Sequence, residues 1–128
     1  MAKFKAERTR QIKAMLGIGS MPAARTAIYL ALYTSDPTIN NTGTEVTGGS
    51  YSRKAITVDS DSDADGVVKN TAAITFNSMP AVTVTHFAIF DAATGGNPIM
   101  YDTFPIPAQM SAGENFTIDI GNLILSEL

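Results

Sequence analysis

The single histidine, His86, and a run of alternating aspartates, Asp61, Asp63 and Asp65 ahead of Gly66, are the residues whose types and spacing could do chemistry. An imidazole works as a general acid or base when a second ionisable group in a cleft tunes its pKa. His86 falls instead in an alternating stretch of β-favouring residues, and its sequence neighbours supply no such partner. It reads as a strand histidine satisfied locally. No Ser-His-Asp arrangement, H-E-x-x-H pair, phosphate loop or dinucleotide fingerprint occurs. The absence of cysteine removes disulfides, thiolate metal ligands and a cysteine nucleophile together. The expectation is a protein that is not an enzyme, with no catalytic residues and no cofactor.

The aspartates open a D-x-D-x-D-G calcium loop, in which alternate carboxylates converge on one hard cation. The bidentate glutamate that closes such a loop should stand at position 72, which is Ala72, and no helical pattern flanks the segment. That excludes an EF-hand. Two readings stay open for Asp61, Asp63 and Asp65: a solvated acidic turn between strands, and a calcium site of another kind.

Binding, unlike catalysis, has a visible candidate. Residues 1–20 carry Lys3, Lys5, Arg8, Arg10 and Lys13 against Glu7, or 5 − 1 = +4. Residues 21–128 carry four basic side chains against eleven acidic ones, or 4 − 11 = −7, which together give the net charge of −3. A basic end on an acidic body is the pattern of an arm that reaches to a partner. Over 3–16 the spacing predicts a short amphipathic helix, with Phe4, Ile12, Met15 and Leu16 roughly on one side and basic residues over the rest. Gly17, Gly19 and Pro22 end it. About four turns are marginal alone in water, so this helix must dock to be ordered, on its own domain or on a neighbour. Lys3, Phe4, Arg8, Arg10, Ile12, Met15 and Leu16 are the candidate partner-binding residues. The cations could release counterions from phosphates, but only Phe4 is available to stack on bases, so a protein groove is the preferred partner over nucleic acid.

The elements that must position these residues are extended ones. Thr26–Thr34 is an apolar run of β-favouring residues ended by Ser35-Asp36-Pro37, and its Ile28, Leu30 and Leu32 read as core. Tyr29 and Tyr33 could emerge at an interface. A polar loop, Thr38 to Ser50, is long enough to be functional. Further strands are expected over Tyr51–Val58, from Val67, over Thr71–Phe76, over Val82–Phe90, over Ile99–Phe104 with Pro105 and Pro107 closing it, over Asn115–Ile120, and over Leu123–Leu128. In Val82–Phe90 the alternation puts Val82, Val84, His86, Ala88 and Phe90 on one face. Asp91–Asn97 reads as a hairpin connection.

Seven or eight short strands with regular turn signals predict a mostly β fold, an antiparallel β-sandwich or jelly roll with a short N-terminal helical arm. The expected division is a basic arm over 1–22 and a single sandwich domain over 23–128, within the usual size of one domain for 128 residues. Charged residues are sparse at 16 %, against the usual quarter, which suits faces covered by neighbours. No apolar run approaches the ~20 residues of a membrane helix, so no membrane partner is expected. The basic start lacks the apolar core of a secretory signal, and synthesis in a cytoplasm follows.

Four stretches together resemble a family of small tailed-bacteriophage structural proteins. They are Tyr29–Pro37, Gly43–Ala55, Val82–Asn97 and Ser111–Ile118, and the resemblance covers residues 26–128. Such proteins are labelled tail fibre or minor tail proteins, and related ones serve as capsid decoration (cement) subunits. The resemblance implies a virion protein without catalytic residues. Its partners would be copies of itself, with a trimer the favoured oligomer, and the major capsid protein or tail proteins. In Glu45–Tyr51 the paired Gly48 and Gly49 would turn the chain sharply into the next strand. The expected function is capsid decoration through protein–protein contacts, with a tail-fibre or minor-tail role in host attachment as the alternative. In that alternative the loops at 38–50, 59–66 and 91–97 make the contact.

Overall fold

The computed structural model describes residues 2–4, 27–60 and 67–126. Ten strands run through them: β1 (Ala2–Lys3), β2 (Ile28–Tyr33), β3 (Lys54–Ile56), β4 (Val58–Ser60), β5 (Val67–Asn70), β6 (Ile74–Phe76), β7 (Thr83–Phe90), β8 (Pro98–Gln109), β9 (Phe116–Ile118) and β10 (Ile124–Ser126). They form a five-stranded sheet ordered β1-β8-β7-β2-β3, a three-stranded sheet ordered β10-β5-β4, and a two-stranded sheet of β6 and β9. Every pairing is antiparallel. The fold is mostly β as expected, and no helix occurs among the described residues.

The helix expected over 3–16 falls, beyond Phe4, outside the described residues. At its start the chain is extended: Lys3 is paired in β1, and the Phe4 N–H donates to the Ile99 carbonyl at 3.1 Å. The expected strand Tyr51–Val58 divides into β3 and β4, which join different sheets.

The five-stranded sheet buries both faces, and alternation sorts its side chains between them. One face gives Leu30, Leu32, Ile56, Phe87, Ile89 and Ile99 to the main core, where Ile74, Phe76 and Ile118 meet them from the two-stranded sheet. The other face carries Ala31, Tyr33, Ala88 and Phe90, covered by Phe4 with Tyr101 beside it. Burying each large apolar side chain contributes about 1.5–3 kcal/mol.

Two strands depart from their expected patterns for one reason, a bulge. Val84 pairs with Ala108, but His86 pairs with Thr103, so Thr85 alone stands opposite Phe104–Pro107. An irregularity of this kind resets which face a side chain meets. Val84 therefore joins Phe87 and Ile89 in the main core while Ala88 and Phe90 line the other face, and the single face expected for Val82, Val84, His86, Ala88 and Phe90 does not form. The same bulge lets β8 run on through Pro105 and Pro107, which were expected to close it. A proline without an N–H is tolerated where no ladder bond is required. Ile106 between them is 81 % exposed.

Candidate interaction surface

The second face of the five-stranded sheet is where distant parts of the chain converge, and Arg53 joins them. After the Tyr33↔Glu45 bridge the chain should return along β2, yet it pairs again only at Lys54. Gly48 (φ 101°) and Gly49 (φ 56°) turn it outward, as expected from their pairing. A Cβ at Gly49 would lie 2.6 Å from the Ser78 carbonyl oxygen, so no larger residue fits there. The detour leaves the Leu32 N–H without a strand partner on that side. The Tyr51 hydroxyl fills the place, accepting from Leu32 at 2.9 Å and donating to Glu45 Oε2 at 2.7 Å.

Glu45 is held by a two-pronged pair: Arg53 Nε donates to Oε2 at 3.0 Å and Nη2 to Oε1 at 2.9 Å. Arg53 Nη1 donates to the carbonyls of Ala92 at 3.1 Å and Gly95 at 2.7 Å, in the hairpin between β7 and β8. The guanidinium lies 3.7 Å from the centroid of the Phe90 ring. With a side chain 9 % exposed, Arg53 is a largely covered clamp that holds the hairpin and the 45–53 strap together. Burial alone would weaken its charge, and hydrogen bonding to the Glu45 carboxylate more than offsets this, raising its pKa. The planar fork suits the task because one cation serves a carboxylate, two carbonyls and a ring face at once.

Burial also governs the two tyrosines nearby. It pushes the Tyr33 hydroxyl up to about 12 from 10.0, with the Glu45 charge adding to the rise and the Arg53 charge opposing, while the hydroxyl donates to Asn41 Oδ1 at 2.8 Å. Burial raises Tyr51 further, against the opposing Leu32 N–H. Above pH ~10 the unfolded chain releases these protons while the folded chain keeps them, so stability falls as pH rises, by about 1.4 kcal/mol per unit for each tyrosine. Tyrosinate absorbance from Tyr33 and Tyr51 should appear together with unfolding above pH ~10; ionisation of both within a folded protein would contradict the packing.

The loops leaving this sheet are shaped from within. Between Thr34 and Glu45 the chain folds on itself: Thr42 N–H donates to the Pro37 carbonyl at 2.6 Å, Asn41 N–H to Thr38 at 3.1 Å, and the Thr38 and Thr42 hydroxyls meet at 2.7 Å. Thr38 (φ 62°) and Asn41 (φ 54°) sit in the left-handed region, a strain of about 1–3 kcal/mol each that only a well-determined loop maintains. The hairpin is closed by Asp91, whose Oδ1 accepts from the Asn97 N–H at 2.6 Å and Oδ2 from its side-chain amide at 3.0 Å. Asn40, Thr42, Thr94 and Asn97 are exposed on these two loops. The loops lie at opposite ends of the sheet, one after Tyr33 at the end of β2 and the other after Phe90 at the end of β7, where Phe90 is the register partner of Tyr29.

Of the residues singled out in the sequence, Lys3 lies in β1 and Phe4 is 1 % exposed, its ring 4.8 Å from Tyr101 and 6.4 Å from Phe90. Arg8, Arg10, Ile12, Met15 and Leu16 lie outside the described residues, as do Asp61, Asp63 and Asp65. His86 Nδ1 lies 2.7 Å from the Thr85 hydroxyl. Tyr33 is buried on the second face, and Tyr29 is half-buried. Among the described residues no group of three His, Cys, Asp or Glu could hold a metal ion, and no helix is long and apolar enough to cross a membrane. Arg53 was missed as the centre of the site, although Glu45 and Arg53 are the only charges in an otherwise neutral strap and are opposite in sign.

A model of the family described as Podophage GP4 fiber I protein gp80 matches residues 9–126. The match reaches nearer the N-terminus than the resemblance expected over 26–128. No curated protein matches the chain.

Proposed function

The chain belongs to the Podophage GP4 fiber I protein gp80 family and is a structural protein of a tailed-phage virion, and on that premise we propose that it is a fibre-associated subunit of the tail. It works by binding and has no catalytic task. The family match over residues 9–126 carries this reading, and the loops support it. Thr38–Thr44 and Ala92–Asn97 contain no charged residue and offer hydroxyl, amide and backbone groups. Ordering a loop in advance removes an entropy cost that binding would otherwise meet. Repeated on several copies in one particle, modest contacts of this kind become lasting through multivalency. The same subunit would meet copies of itself, and seating on the major capsid protein as a decoration subunit is the rival placement.

Antibody raised against this chain and coupled to gold separates the two. Labelling of intact particles at the fibres and tail is expected. Gold distributed over the head shell, with bare tails, would replace the fibre reading with capsid decoration.

A further inference from the structure

We propose that Ala2–Phe4 is a donor strand exchanged between copies of the chain, and that the β8 edge with the Phe90–Tyr101 face is its acceptor. The inference rests on the reading of the chain as an assembling virion subunit and names the contact by which copies join.

The contact has the form of a detachable anchor. β1 is two residues long, with the register pairs Ala2↔Tyr101 and Lys3↔Met100, and one further bond joins Phe4 N–H to Ile99. Its anchor is one ring, Phe4, which is 1 % exposed. The acceptor does not depend on that ring for its shape. Phe90 is fixed from elsewhere by the Arg53 guanidinium 3.7 Å from its centroid, and Ala31, Tyr33 and Ala88 belong to central strands of the sheet.

Reach makes the exchange feasible. In the order β1-β8-β7-β2, β1 and β2 stand three strand spacings apart, roughly 14 Å. Residues 5–26 join them, and a chain of that length spans up to roughly 70 Å. Closing the strand onto its own sheet needs only a fraction of that limit, so length alone does not confine the strand to its own sheet. Exchange of an identical element is a low-cost route to oligomers, because donor and acceptor contacts are already optimal. Charge favours it as well: residues 1–20 carry +4 and residues 21–128 carry −7, so the end of one copy is drawn to the body of the next.

The chain has no cysteine, which gives a clean test. Antiparallel register partners have Cα atoms about 4.5–5.5 Å apart, within the range a disulfide bridges. Full-length Lys3→Cys and Met100→Cys proteins carrying tags of different size are co-expressed, oxidised and run without reductant. The expected product is a covalent dimer holding one of each, far more abundant than either variant forms alone. The Lys3→Cys/Met100→Cys double variant should then give covalent dimers and higher closed oligomers. A double variant that closes within its own chain, or fails to form a disulfide at all, overturns the exchange. Adding Phe4→Ala should sharply reduce the intermolecular product and Phe4→Leu should retain most of it. Failure here would leave the gold-labelling result standing, so the two readings fall separately.

Discussion

Replacing Arg53 with alanine is expected to lower stability by about 2–4 kcal/mol and to release the 91–97 hairpin from the strap. Removing one member of a buried ion pair leaves the other uncompensated, which in dry surroundings costs about 3–5 kcal/mol. The Glu45 side chain keeps 24 % of its exposure and would regain water, so the lower range applies. The Ala92 and Gly95 carbonyls lose their donor, and Phe90 loses the cation over its ring. Arg53→Lys separates charge from shape: an ammonium keeps the attraction to Glu45 but cannot serve all four partners, so an intermediate loss is expected. Denaturant unfolding and hydrogen exchange read both outcomes. The amides of the hairpin and the strap should speed up together. A stable Arg53→Ala protein whose hairpin exchanges as slowly as the wild type would show that the clamp holds nothing.

Asn70→Ala should be comparably damaging, at about 2–4 kcal/mol, although Asn70 belongs to the three-stranded sheet and to none of the proposed contacts. It is 2 % exposed, and its amide works in three directions. Nδ2 donates to the Ala72 carbonyl at 2.9 Å and the Asp119 carbonyl at 3.0 Å, while Oδ1 accepts from the Leu123 N–H at 3.0 Å. These bonds tie the end of β5 to the turn that leads into β10. Truncation strands buried polar groups, each at about 1–3 kcal/mol, partly relieved by water. Asn70→Asp is the sharper probe, since a carboxylate cannot donate to two carbonyls. Its protonated form can donate once, so this variant should lose more stability at neutral pH than at acid pH. Equal loss at both would place the defect in packing and leave hydrogen bonding uninvolved.

The parts of the fold legible in the sequence were those set by local pattern. β2 followed from the apolar run Ile28–Tyr33, the hairpin from Asp91 and Gly95-Gly96, and the turn into the Tyr51 segment from Gly48-Gly49. The bulge opposite Thr85 was hidden because alternation assumes an unbroken period of two, and only the partner strand shows where that period resets. For the same reason Pro105 and Pro107 read as a stop, when they lie on a stretch of β8 that needs no donor there. The clamp was hidden differently. Glu45, Arg53, Ala92 and Gly95 are brought together by the detour of the strap and the curl of the hairpin, neither of which has a periodicity. Asn70 gave no signal either, since an asparagine beside a turn is ordinarily exposed. The basic N-terminal segment was read as a docking helix; its described residues, Ala2–Phe4, run instead as a strand with Phe4 as the anchor, and the remainder lies outside the described residues.

One physical arrangement links fold to function here. The main core holds the sheets together, and the opposite face of the five-stranded sheet holds an arginine that shapes a hairpin and the Phe4 ring that the proposed exchange would use as its anchor. The exposed loops are held in shape by internal bonds, so the proposed contact would use groups that are already ordered.

The most direct test is the adsorption of phage particles assembled with Asn40→Arg or Thr94→Arg chains. Both positions are exposed and neither side chain enters the clamp, so folding and incorporation should be unchanged. If the loops make the contact, at least one variant should adsorb to cells tenfold or more slowly, the effect of about 1.4 kcal/mol lost at the contact. Particles that incorporate both variants normally and adsorb like the wild type would contradict the account.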